Sequence, residues 1–238
     1  MSETAFRTIG VLGGMGPAAT AYFFQQLVDR VAAERDQSHP PCLIYNATQV
    51  PDRTAHLTGG EIDPTSALQE ASRVLERAGA DFIAIPCNSA HAYLAAIRDA
   101  VRIEVLDMIG LTAAAAASAL PSGGRVGVLA ASGTVGLGLY DGALEAHGLR
   151  TLQLQAPTQS EVMVAIRAVK AGGSEARQRL APAIDELVAG GAELLIIGCT
   201  ELPIIVDSAA VPVPVLDATE VLLRESLVRS GAAPSGQP

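Results

Sequence analysis

Ala80-Asp81-Phe82-Ile83-Ala84-Ile85-Pro86-Cys87-Asn88-Ser89 decides the fold, because the chain states it twice. Ala192-Glu193-Leu194-Leu195-Ile196-Ile197-Gly198-Cys199-Thr200-Glu201 follows the same plan. Each run passes from a small residue to an acid, through an apolar segment, to a cysteine and then to polar residues. A short apolar run bounded in this way reads as a buried strand. Here each strand stops at a thiol and turns into a polar loop. Other landmarks keep the same order. Ile9-Gly10-Val11-Leu12 matches Val126-Gly127-Val128-Leu129 at an offset of 117 residues, the cysteines match at 112, and Val105-Leu106-Asp107 matches Val215-Leu216-Asp217 at 110. The competing reading is chance likeness among α/β strands. Preserved order and the rarity of cysteine weigh against it, so the chain reads as two similar βα lobes.

Strand and helix patterns alternate along the whole chain. In the first half, strands are expected at Arg7–Leu12, Cys42–Thr48, up to Pro86 and at Glu104–Leu106, with helices at 17–35, 65–78 and 88–100. In the second, strands are expected at Arg125–Ala130, Thr151–Gln155, Glu193–Gly198 and Pro214–Leu216. Helices are expected there at 135–147, 160–170, 175–189 and 218–228. The lobes are expected to comprise residues 1–107 with 218–238, and residues 108–217. Parallel strands place ligand sites at their carboxyl ends. Both cysteines lie there, so the cleft between the lobes is the expected site.

Composition agrees with this class. Of 238 residues, 49% are hydrophobic and only 3% aromatic, which suits aliphatic strands covered on both faces by helices. A net charge of −9 argues against bulk binding to nucleic acid or an anionic membrane, though not against a small anionic substrate. Three cysteines, Cys42, Cys87 and Cys199, do not read as a disulfide framework. Met1–Thr8 lacks a signal-peptide layout, and the apolar stretch Ala113–Leu120 is too short to span a bilayer, so a soluble cytoplasmic protein is expected. Gly231–Pro238 is expected to fray.

Several residues invite a chemical reading. Two thiols presented by matching lobes could face one carbon from opposite sides. Stereoinversion at a carbon acid needs that arrangement: one group takes the proton and another returns it. The bland alternative is packed core cysteine. Against it, polar residues follow each thiol, and Cys87 opens a helix, where a thiolate is stabilised. Backbone N–H groups just past each cysteine could hold a carboxylate. Cys42, at the start of its strand, reads as core. The loop Gly14-Met15-Gly16-Pro17-Ala18-Ala19 fits a dinucleotide fingerprint, but no acidic residue ends the next strand to hold a ribose. A glycine loop at a helix N-terminus can equally bind a substrate carboxylate. On local sequence alone Arg53 reads as a solvated arginine and Lys170 as a complement to its helix dipole. His91 could tune the Cys87 thiol or simply be a core or surface histidine. The cysteines lack metal-site spacing, so no metal is expected.

Taken together, these residues resemble the aspartate/glutamate racemase superfamily, most of all its aspartate racemase branch. The likeness rests on Gly13-Gly14-Met15-Gly16-Pro17, Pro51-Asp52-Arg53-Thr54, Pro86-Cys87-Asn88-Ser89-Ala90-His91 and Gly198-Cys199-Thr200-Glu201. It implies two pseudo-symmetric Rossmann-like α/β lobes with mainly parallel sheets, a site between them, a homodimer and no cofactor. It implies that Cys87 and Cys199 are the acid/base pair. Met15, Gly16, Asn88, Ser89 and Thr200 would hold the α-carboxylate and α-amino group, and Ser132 would line the site from the second lobe. Arg53 and Lys170 would take the side-chain carboxylate of an amino dicarboxylate. Gly13-Gly14 stands where the glutamate racemase branch carries an aspartate, which disfavours that branch. Competing readings are a maleate isomerase, a malonate decarboxylase or a hydantoin racemase of the same superfamily, and a non-catalytic metabolite-binding module.

Overall fold

A computed structural model describes residues 6–31, 33–173 and 178–235. Its eight strands form two four-stranded parallel sheets. The first has order β2-β1-β3-β4, from β1 (Ile9–Gly13), β2 (Cys42–Asn46), β3 (Phe82–Ala84) and β4 (Glu104–Val105). The second has order β6-β5-β7-β8, from β5 (Arg125–Ala130), β6 (Arg150–Leu152), β7 (Leu194–Gly198) and β8 (Val215–Asp217). The orders are identical once the halves are superposed, and so is the register. Ile9 pairs with Phe82 and Val126 with Leu194, the matching landmarks of the two halves.

Alternation along the strands explains the layering. In β3 and beyond, Phe82 and Ala84 join one apolar cluster, while Ile83, Ile85 and Cys87 join another on the opposite face. In β7 and beyond, Leu194 and Ile196 face one way and Leu195, Ile197 and Cys199 the other. The period of two therefore carries both thiols in phase with the core. Glycine keeps the matching point of the two central strands thin. A Cβ on Gly10 would lie 2.7 Å from the Ala80 Cβ, and one on Gly127 would lie 2.5 Å from Leu195 Cδ2.

Helices α1 (Pro17–Asp29), α3 (Thr65–Arg77) and α4 (Leu94–Ala100) belong to the first half, and α8 (Ala156–Lys170) and α9 (Ala181–Ala189) to the second. Two helices were not foreseen. α2 (Arg53–Leu57) is capped by Asp52, which accepts from the Ala55 amide, and α5 (Met108–Ala119) absorbs the apolar Ala113 stretch behind an Asp107 cap. Other boundaries moved for local reasons. α1 stops at Asp29 instead of residue 35, and Val31 forms a bridge to Pro234. The helix expected at 88–100 begins as a tight 3-10 turn over Asn88–Tyr93. The one expected at 135–147 is two short helices, α6 (Ser132–Gly136) and α7 (Leu139–Glu145), broken by Gly138 at φ +62°. The strand expected at 151–155 ends at Leu152, residues 153–155 are irregular, and α8 starts at Ala156 ahead of the expected Ser160, with Pro157 in its first turn. Of the helix expected at 175–189, residues 175–177 lie outside the described residues, and α9 starts at Ala181.

The helices that follow the last strand of each sheet are exchanged. α5 leaves β4 of the first sheet, yet Ile109, Ala113 and Ala116 pack on Val126, Val128 and Ile196 of the second. α10 (Ala218–Ser230) leaves β8 of the second sheet, yet Leu222, Leu223 and Leu227 pack with Ile9, Val11 and Phe82 of the first. The two helices also touch each other. Among the described residues, no helix is long and apolar enough to cross a membrane.

Candidate active site

The carboxyl ends of both sheets open onto one cavity of about 310 Å³. Its walls include Met15 after β1, Arg53 in α2 and Cys87, Asn88 and Ser89 after β3. From the other half come Thr134, Arg167 and Lys170, and Cys199, Thr200 and Glu201 after β7. The two thiols, 112 residues apart in sequence, therefore share one chamber. Among the described residues, no group of three or more His, Cys, Asp or Glu side chains is arranged to hold a metal ion.

Cys87 and Cys199 have different neighbours. The Cys87 sulfur lies 3.6 Å from the Ser89 hydroxyl. His91 sits below the turn: its Nε2 accepts from the Met108 amide at 3.1 Å, so its Nδ1 is the donor to the Cys87 carbonyl at 3.0 Å. Both ring nitrogens are committed to backbone, and burial holds the imidazole below its ordinary pKa and neutral. His91 thus braces the Cys87 turn against the start of α5 and leaves the sulfur alone. Cys199 donates to Glu201 Oε2 at 3.1 Å. Burial first, and then the Glu201 charge, push its thiol well above the ordinary range.

Glu201 is the residue that sequence reasoning passed over. It is only 2% exposed, yet three groups meet it. Besides the thiol, the Gly16 amide donates to Oε1 at 3.1 Å and the Lys170 ammonium lies 3.7 Å from the same oxygen. Gly16, expected to hold substrate, has its N–H on Glu201, across 185 residues of sequence. Gln159 donates to the Ser132 hydroxyl at 3.3 Å, and its neighbours Ala131 and Thr134 line the cavity.

Arg53 overturns its local reading as a solvated side chain. It is 7% exposed, and its Nη1 donates to the Val50 and Pro51 carbonyls at 3.2 and 2.9 Å. Its Nη2 donates to the Met15 carbonyl at 3.2 Å, while buried Nε has no partner. Asn88 Nδ2 and Thr134 Oγ1 are also buried without partners. Three cavity-wall residues thus carry buried polar atoms without a partner among the described residues. Such atoms are costly unless a ligand meets them.

Residues 12–226 match the family described as Asp/Glu/Hydantoin racemase. The chain belongs to that family. The aspartate racemase of Picrophilus torridus superposes with a TM-score of 0.86 at 30% identity, over 96% of each chain. The broad specificity amino-acid racemase RacX of Bacillus subtilis is 26% identical over 92% of this chain and 96% of its own length. A glutamate racemase from Campylobacter jejuni, at 18% identity, shares the fold alone: its TM-score is 0.68 over 97% of this chain and 88% of its own. The protein is therefore an isomerase-class enzyme of a racemase family. Within this racemase scaffold, Arg167 also reaches the cavity wall, although no local motif singles it out. It lies one helical turn from Lys170, so the face of α8 toward the cavity was the signal available.

Proposed function

We propose that the protein is a cofactor-independent racemase of acidic amino acids, with aspartate as its first substrate, working through Cys87 and Cys199 as two opposed acid/base groups. The observation that carries this reading is one cavity receiving a thiol from each of two matching lobes. Proton removal from one face and return from the other inverts the carbon between them. Cys199, whose thiol is held protonated, enters as the acid. Cys87 then takes the α-proton as thiolate. In the reverse direction Cys199 must give up its proton first, and Glu201 Oε2 lies in place to receive it. Carbanion charge spreads into the α-carboxylate. Donors fixed around it, from Asn88, Ser89 and Thr200, favour the transition state over the ground state.

Arg53 and Lys170 are proposed to take the side-chain carboxylate. The unpartnered Arg53 Nε supports this, because three carbonyls hold the guanidinium at the cavity with donor capacity still unspent. Residues 1–107 with 218–238, and residues 108–217, are proposed as the units that close on the substrate. A homodimer in the cytoplasm completes the proposal. The likeness to RacX favours a second reading, a wider range of amino acids in the same cavity.

The test is proton NMR in deuterated water with reduced protein and no added cofactor, on L-aspartate, L-glutamate and a panel of neutral amino acids. Loss of the α-proton signal with appearance of the D-isomer is expected for aspartate first. Exchange across the whole panel supports the second reading. No exchange with any of them overturns both and favours the isomerase or decarboxylase chemistry of the wider superfamily.

A further inference from the structure

Beneath the cavity floor, Tyr140 joins the two half-sites. Its hydroxyl, rooted in α7 of the second half, donates to Asn88 Oδ1 of the first at 2.6 Å in a fully buried bond. Its ring fills the space left by Gly198, the residue before Cys199: a Cβ there would lie 2.9 Å from Tyr140 Cε2. One side chain therefore touches the residue after one thiol and the residue before the other. Burial raises the phenol far above its ordinary pKa, so it remains a donor. With Oδ1 accepting from the phenol, the Asn88 carboxamide turns its amino group away from Tyr140. Its amino group is buried and has no partner among the described residues, while Asn88 itself borders the cavity.

We infer that Tyr140 is a positioning residue, locking the Asn88 carboxamide with its NH₂ turned into the cavity to receive a substrate carboxylate oxygen. The inference rests on the racemase reading and extends it to a residue that never meets substrate. Because donor and carboxamide come from opposite lobes, the binding donor is oriented only while the lobes are docked around the tyrosine.

The test is a double-mutant cycle with Tyr140→Phe, which keeps the ring against Gly198, and Asn88→Ala, read by the KM and kcat of aspartate racemisation. Each single variant is expected to raise KM about 10-fold, as for a lost substrate hydrogen bond, with a smaller change in kcat. The double variant is expected to match Asn88→Ala alone. A purely structural tyrosine would lower the active fraction, and so kcat, with KM unchanged. Unchanged KM in Tyr140→Phe, or effects that multiply in the double variant, would overturn the inference. If Tyr140→Phe does not fold, Asn88→Asp decides: it keeps the acceptor for Tyr140 but loses the cavity donor. Weaker aspartate binding by calorimetry is expected, and wild-type affinity overturns the inference. A wild-type protein that leaves every amino acid unchanged overturns the racemase reading itself and takes this inference with it.

Discussion

Glu201 sits where a thiol, a glycine amide and an ammonium converge. Its glutamine variant keeps the shape and removes the charge that helps to hold Cys199 protonated. In Glu201→Gln the racemisation rate should fall about 10- to 100-fold, since acid–base partners contribute at that level. At the same time the pH midpoint for alkylation of Cys199 should move down. A Cys87→Ala background isolates that signal, because burial pushes Cys42 up to about 12 and keeps it silent. An unchanged midpoint would mean the carboxylate does not govern the thiol. The cysteines themselves make a separate prediction. Cys87→Ala and Cys199→Ala should each abolish racemisation while washing out the α-proton of one enantiomer only, followed by deuterium uptake. Full racemisation by either would remove the two-base scheme. Both thiols were legible in the sequence because rare residues recur at matching strand ends. Glu201 was not legible, because its role depends on Gly16, which is distant in the chain and adjacent only in the fold. Arg53 was misjudged locally for the same reason: its burial depends on three carbonyls supplied by folding.

Among the elements, the central strands were legible nearly to the residue, since their apolar runs are bounded by acids and glycines. Helix ends were not, because they are set by tertiary contacts such as the Val31–Pro234 bridge and by the left-handed break at Gly138. Strand thinness gives a graded prediction. Gly10→Ala would press on the Ala80 Cβ and on the Phe82 carbonyl at 3.0 Å, both rigid, and should cost about 1–3 kcal/mol. Gly127→Ala meets the movable end of Leu195 and finds a fixed atom, the Leu187 Cβ, only at 3.1 Å, so it should cost less. Urea midpoints compare the two, and equal losses would discard the argument. Caps give a pH signature. Asp217 caps α10 by accepting from the Thr219 amide at 2.7 Å, and burial pushes its carboxyl from 3.8 up to about 6. The folded state thus binds this proton more tightly than the unfolded chain. Its stabilising effect is full below about pH 4 and lost as pH rises through about 6. Asp217→Asn keeps the cap and removes the slope. Relative to that variant, wild type should gain about 1–3 kcal/mol between pH 7 and pH 4 in denaturant unfolding. A constant difference would place the proton elsewhere.

Over the whole molecule, the doubled plan was readable from three ordered landmarks, and identical strand orders bear out the two-lobe α/β reading. The expected lobe bounds already placed residues 218–238 with the first half and 108 onward with the second, but the helix Met108–Ala119 itself was not readable, because an all-round apolar segment carries no stripe. The exchange of α5 and α10 makes the halves mutually dependent. A chain cut after Asp107 yields one fragment without α10 over Ile9 and Phe82, and another whose α10 has lost the sheet it covers. Each fragment expressed alone should aggregate, whereas the two produced together should find each other and restore a folded pair, read by size-exclusion chromatography. Two soluble, independent fragments would contradict this. The chain therefore behaves as a clasped pair, in which the helix leaving each sheet closes over the other.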